Sequence, residues 1–120
     1  MKKISIMIIF IFVSAFLAAG QRDKGEIVLQ SLSVKDGKLS FETETGGCTT
    51  KQSFRINIEK GRSGDLKVTN YILTITREIP DQCKGFFTEG IVVEYELEKD
   101  LGLKGDYTVT VKNMVLPRKE

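Results

Sequence analysis

Apolar and polar residues alternate along most of this chain, and that period of two constrains the fold more than any other feature. Successive side chains of a strand point to opposite faces, so strict alternation makes one apolar face and one polar face. "FRINIEK" is the cleanest case, with Phe54, Ile56 and Ile58 on one side and Arg55, Asn57 and Glu59 on the other. "LSFETET" places Leu39 and Phe41 together, and "DYTVTVKNMVL" does the same for Tyr107, Val109 and Val111. "IVVEYELE" turns Ile91, Val93, Tyr95 and Leu97 inward and leaves an acidic outward row, Glu94, Glu96 and Glu98. Two stretches shift parity. Ile27 and Leu29 are followed by Leu32 and Val34, which implies a bulge or a bend between them. In "LKVTNYILTIT" Leu66 and Val68 share one face and Tyr71, Leu73 and Ile75 the other, so the segment reads as two short strands or one bulged strand.

Turn signals separate these segments. "KDGK" carries the Asp-Gly pair favoured in hairpins. "GGCTTKQS" and "GRSGD" read as loops, and "KDLGLKG" as a connector with room for one helical turn. About six or seven short strands with one apolar face each must bury those faces against one another. The expectation is an all-β fold, a small antiparallel β-sandwich, with a small partly open β-barrel as the alternative.

The first residues, "MKKISIMIIFIFVSAFLAAGQ", have a charged front, an apolar run from Ile4 to Ala19, and small residues before the polar "QRDK". That is the layout of a secretory signal peptide. The run is shorter than the ~20 apolar residues of a spanning helix. Residues 1–20 are therefore expected to be removed at the Gly20–Gln21 bond, leaving residues 21–120 as one domain. A lipid anchor needs a cysteine just after the small residues, and position 21 is Gln21. The expected product is periplasmic or secreted, not a lipoprotein, and without a membrane span.

Removing Lys2 and Lys3 from the 18 basic residues leaves 16 against 16 acidic ones. With no basic block, nucleic-acid binding has no electrostatic driving term. The two cysteines, Cys48 and Cys83, enter an oxidising compartment on this reading, where an even count favours one intramolecular disulfide. Its loop of about 36 residues gives roughly 3.5–4 kcal/mol by chain entropy. Zinc is disfavoured, because the chain has no histidine and no third cysteine. The same lack of histidine removes the usual proton shuttle and every Ser-His or Cys-His arrangement. No catalytic residue, cofactor or metal ligand is assigned. Carboxylate chemistry remains conceivable for Glu94, Glu96 and Glu98, but a solvated row that blunts edge pairing is the simpler reading.

The segment "REIPDQCKGFFTEG", residues 77–90, concentrates the remaining candidates. Pro80 and Asp81 read as a turn start; neither Asp81 nor Glu89 has a partner visible in the sequence. Cys83 pins the loop to "GGC". Phe86 and Phe87 are adjacent, so in extended chain they point opposite ways. Either both fill the end of the sandwich, or one is an exposed anchor beside Lys84. Lys51, in "CTTKQS", would share that surface across the disulfide. Candidate partner-binding residues are Lys51, Lys84, Phe86 and Phe87. The leading expectation is an exported, non-enzymatic module that binds a cell-envelope or extracellular macromolecule through these loops. A secreted peptidase inhibitor presenting Lys84-Gly85 is the first alternative, and a histidine-free carboxylate enzyme the second.

Two resemblances add to this. "LKGDYTVTVKN" looks like the G-x-Y-x-V-x-V ending of immunoglobulin-like bacterial sandwich domains, which implies a buried Tyr107 whose hydroxyl bonds backbone at a corner. "GGCTTKQSF", "LTITREIPDQC" and "DLGLKG" together are similar to a pattern in small exported bacterial proteins. That resemblance implies export and a Cys48–Cys83 disulfide, and implies no activity.

Overall fold

The computed structural model describes residues 22–61 and 67–117. The expected signal peptide, its cleavage bond, Leu66 and most of the "GRSGD" turn lie outside the described residues. Seven strands follow in order: β1 (Gly25–Glu26), β2 (Ser31–Lys35), β3 (Lys38–Thr43), β4 (Phe54–Gly61), β5 (Thr69–Arg77), β6 (Ile91–Glu96) and β7 (Tyr107–Val111). They build two sheets. In the first, β4 runs antiparallel to β5, and the other edge of β5 is shared by β1, antiparallel, and β7, parallel. In the second, β3 lies between β2 and β6, all antiparallel. The two pack as a sandwich, and among the described residues neither closes into a barrel.

The parity shift after Leu29 is where the chain changes sheets. β1 pairs with β5, whereas β2 pairs with β3. Ile27 and Leu29 point into the core from one sheet; Leu32 packs against it, half-buried, from the other, and Val34 is exposed. The "KDGK" turn has φ of 53° at Asp36 and 73° at Gly37, with Lys35 opposite Lys38. Both central residues are left-handed, as a two-residue type I′ hairpin requires. "LKVTNYILTIT" contributes one strand rather than two, β5, beginning at Thr69.

The core joins inner faces of both sheets: Leu39 and Phe41 of β3, Phe54 of β4, Tyr71, Leu73 and Ile75 of β5, Val93 and Tyr95 of β6. Phe41 meets Phe54 edge-on at 5.4 Å and stacks on Tyr95 at 6.3 Å, linking the layers. Burial of each such side chain stabilises by about 1.5–3 kcal/mol. Ile58 departs from its expected inward place: it lies on β4, an edge strand, and is 39 % exposed. Tyr107 is half-buried, with its ring edge on Tyr71 at 5.8 Å. The tyrosine that bonds backbone is Tyr95, whose hydroxyl donates to the Lys51 carbonyl at 3.1 Å.

A buried asparagine closes the shared edge of β5. The Ile27 N–H donates to Ile75 O at 3.3 Å, and the Lys112 N–H donates to Leu73 O at 2.9 Å. Asn113 joins these two ladders. Its Nδ2 donates to the Ile27 and Ile75 carbonyls, both at 2.8 Å, and its Oδ1 accepts from the Ile75 N–H at 2.8 Å. One side chain thus satisfies the Ile27 carbonyl and the Ile75 N–H, which the change of neighbour from β7 to β1 would otherwise leave unpaired.

Candidate functional site

Two loops meet at one end of the sandwich. Residues 44–53 link β3 to β4, ending in a 3-10 turn at Lys51–Ser53, and residues 78–90 link β5 to β6. The disulfide joins them: Cys48 and Cys83 are bonded, with Cα atoms 5.6 Å apart, a normal span.

Beneath the disulfide, Asp81 collects the backbone of both loops. Its Oδ2 accepts from Gly46 N–H at 2.7 Å, Cys48 N–H at 3.2 Å, Thr45 Oγ1 at 3.2 Å and Thr49 Oγ1. Its Oδ1 accepts from Cys83 N–H at 3.1 Å. Asp81 is buried. It therefore has five partners, where none could be read from the sequence. Burial pushes its carboxyl pKa up, but hydrogen bonds from Thr49, Gly46, Cys83 and Cys48 outweigh it and hold the group well below the usual carboxylate range.

Behind Asp81 lies Arg77, only 1 % exposed. It continues the inward row of Tyr71, Leu73 and Ile75 on β5. Its guanidinium donates to Thr49 Oγ1 at 2.8 Å and to the Glu44 carbonyl at 3.0 Å, and it lies 5.0 Å from the centre of the Phe54 ring. Burial lowers its pKa, and the nearby Asp81 and Glu44 carboxylates oppose that. Arginine stays protonated under these conditions. Thr49 thus sits between a buried cation and a buried anion, accepting from one and donating to the other. The pair is held by hydrogen bonds on both sides, the condition under which buried charge is tolerated.

The two phenylalanines stand outside this anchored root. Phe86 is 93 % exposed and Phe87 56 %. The alternative in which both fill the end of the sandwich is overturned. The buried Asp81 and the half-buried Cys83 fix the root, and beyond them the chain stays in the open: Lys84 and residues 86–89 are exposed. The Phe87 ring lies across Gly47 and Gly85; a Cβ at Gly85 would collide with it. Gly85 N–H donates to the Gly46 carbonyl at 2.9 Å, and Gly90 N–H to Glu42 Oε2 at 2.9 Å, so the loop is held at both ends.

Lys84 is exposed between Cys83 and Gly85. Lys51 is exposed too, but its ammonium is engaged, 3.4 Å from Asp100 Oδ2 and 4.6 Å from the Tyr95 ring centre. The acidic row of β6 faces solvent, with Glu94 3.4 Å from Lys38 and Glu96 3.9 Å from Lys99. Donor atoms of Cys48, Asp81 and Cys83 lie within 4.8 Å of one another, but both thiols are spent in the disulfide and are not thiolate ligands.

Sequence reasoning located the staple and the aromatic pair. It missed Asp81, Thr49 and Arg77 as one network. The available signal was parity: position 77 follows 71, 73 and 75 on an inward row, and an arginine there needs buried partners. No protein-family model matches this chain, and no curated protein and no solved structure is similar to it.

Proposed function

We propose that this protein is an exported, non-enzymatic binding module that grips another macromolecule, a cell-envelope or extracellular protein, through the surface around Cys48–Cys83. Residues 1–20 serve as its signal peptide, and the product is a non-lipidated periplasmic or secreted domain on an immunoglobulin-like sandwich. The observation that carries the reading is the exposure of Phe86 and Phe87 on a loop whose root is fixed by a disulfide and by the Asp81 hydrogen bonds. Water-exposed aromatics cost a monomer solubility, and burying one at an interface stabilises a complex by about 1.5–3 kcal/mol. A loop that is already ordered loses little entropy on binding. Lys84 adds a charged contact at the rim, which governs encounter rate more than affinity.

The test is a parallel pull-down from envelope and extracellular extracts, with oxidised wild type and with a folded Phe86→Ala/Phe87→Ala variant as baits. A partner retained by the wild type and lost by the variant supports the proposal. Partners retained equally by both would refute it. The inhibitor alternative is weaker, because the Gly85 N–H is committed to Gly46 and the Phe87 ring covers Gly85, so the Lys84-Gly85 bond is not laid open for a protease cleft. Inhibition of a trypsin-like panel that disappears in Lys84→Ala would reverse that preference.

A further inference from the structure

The open edge of β4 is self-complementary. No strand among the described residues pairs with it. The register of β4 on β5, with the Glu78 N–H donating to Ser53 O at 2.8 Å, turns the backbone groups of Arg55, Asn57 and Glu59 toward β5. The opposite edge of β5 agrees, since Leu73 and Ile75 spend their backbone groups on Lys112, Ile27 and Asn113. The N–H and C=O groups of Ile56, Ile58 and Lys60 therefore point to the open side, as alternation in an antiparallel ladder requires. That is a ready template for another strand.

We infer that the occupant is a second copy of this chain, with β4 paired antiparallel to β4 about a twofold axis through Asn57. In this register Ile56 and the second copy's Ile58 exchange main-chain hydrogen bonds, and so does the reciprocal pair. On the outer face Arg55 stands opposite the second copy's Glu59, Asn57 opposite its own counterpart, and Glu59 opposite the second copy's Arg55. Opposite charges directly across strands favour the pairing, and a twofold makes each such contact twice. On the inner face four isoleucines come together, covering Ile58, which is 39 % exposed in the single chain. The intramolecular competitor is weak: Arg55 reaches Glu78 at 3.8 Å with both side chains largely exposed. The β6 edge offers no such match. Its self-pairing would bring Glu94 and Glu96 against like charges, and the Glu96 N–H is already taken by Asp100 Oδ2 at 2.8 Å.

Sedimentation equilibrium of the oxidised protein across a wide concentration range tests this, together with amide exchange. The result expected is a reversible monomer–dimer equilibrium. Arg55→Glu and Glu59→Arg should each weaken it by about tenfold, because each single change converts two attractive pairs into like-charge pairs. The Arg55→Glu/Glu59→Arg double swap should restore it. Ile56 and Ile58 amides should exchange more slowly as concentration rises. A protein that stays monomeric at every concentration overturns the inference, as does a dimer indifferent to either single change or not rescued by the double swap. Should either variant fail to fold, the concentration dependence of the Ile56 and Ile58 amides in the unsubstituted protein decides alone: slowing supports the pairing, and its absence overturns it.

Discussion

Replacing Asp81 with asparagine removes the charge at the centre of the two loops while keeping the shape. The Asp81 carboxylate accepts five hydrogen bonds, three of them from backbone N–H groups of Gly46, Cys48 and Cys83. An asparagine that keeps its oxygen at the Oδ2 position retains four as weaker neutral contacts. Its NH2 group then faces the Cys83 N–H, donor against donor. Leaving one buried donor unsatisfied costs about 1–3 kcal/mol, and weakening the other bonds adds to it, so the loss should be roughly 2–4 kcal/mol. The uncompensated charge of Arg77, which reaches Asp81 through Thr49, acts in the same direction. The effect must also depend on pH. Asp81 has a folded pKa below its unfolded value, so its contribution is full above the unfolded value and is lost as pH falls through the folded one. With an unfolded value of about 3.9, about 1 kcal/mol of the difference from Asp81→Asn should vanish between about pH 7 and about pH 3. Urea unfolding of both oxidised proteins at the two pH values measures this. Equal midpoints at neutral pH, or a difference that does not shrink in acid, would refute the assignment of Asp81 as the ionised organiser of these loops.

Other outcomes follow from the same contacts. Thiol titration of the unfolded, unreduced protein should find no free thiol, and reduction should lower the urea midpoint, with a loss approaching ~3–4 kcal/mol. Asn113→Ala should destabilise by about 2–4 kcal/mol, since it frees backbone groups of Ile27 and Ile75 in the interior; a midpoint near wild type would mean that water replaces the side chain. Val93→Asp, at a buried site, should prevent folding, whereas Ile56→Asp, at a half-buried edge site, should be milder and Glu96→Gln nearly silent by circular dichroism melting.

The features legible in the sequence are those set by neighbours along the chain. Alternation marked the inward rows of β3, β5 and β6, and Asp-Gly marked the β2–β3 hairpin, because both depend on local geometry. The cysteine pair was legible from chemistry alone. What could not be read depends on tertiary neighbours. The parity shift after Leu29 has one appearance in sequence whether the strand bulges or changes sheets, and only pairing separates them. The parallel docking of β7 on β5 is likewise invisible to a pattern that reports faces rather than order. Asn113 meets Ile27 across 86 residues, and Asp81 meets Thr49 across 32. Each is an ordinary polar residue until the fold buries it. Phe86 and Phe87 could not be placed from adjacency alone, because their exposure follows from where Asp81 and Cys83 tie the loop.

In the proposed function this tied loop presents its aromatics to a partner. The most direct measurement is the calorimetric affinity of the captured partner for wild type, Phe86→Ala and Phe87→Ala, each matched to wild type in thermal stability. At least one folded variant should bind tenfold or more weakly, a loss of about 1.4 kcal/mol or greater. Unchanged affinity in both variants would contradict it.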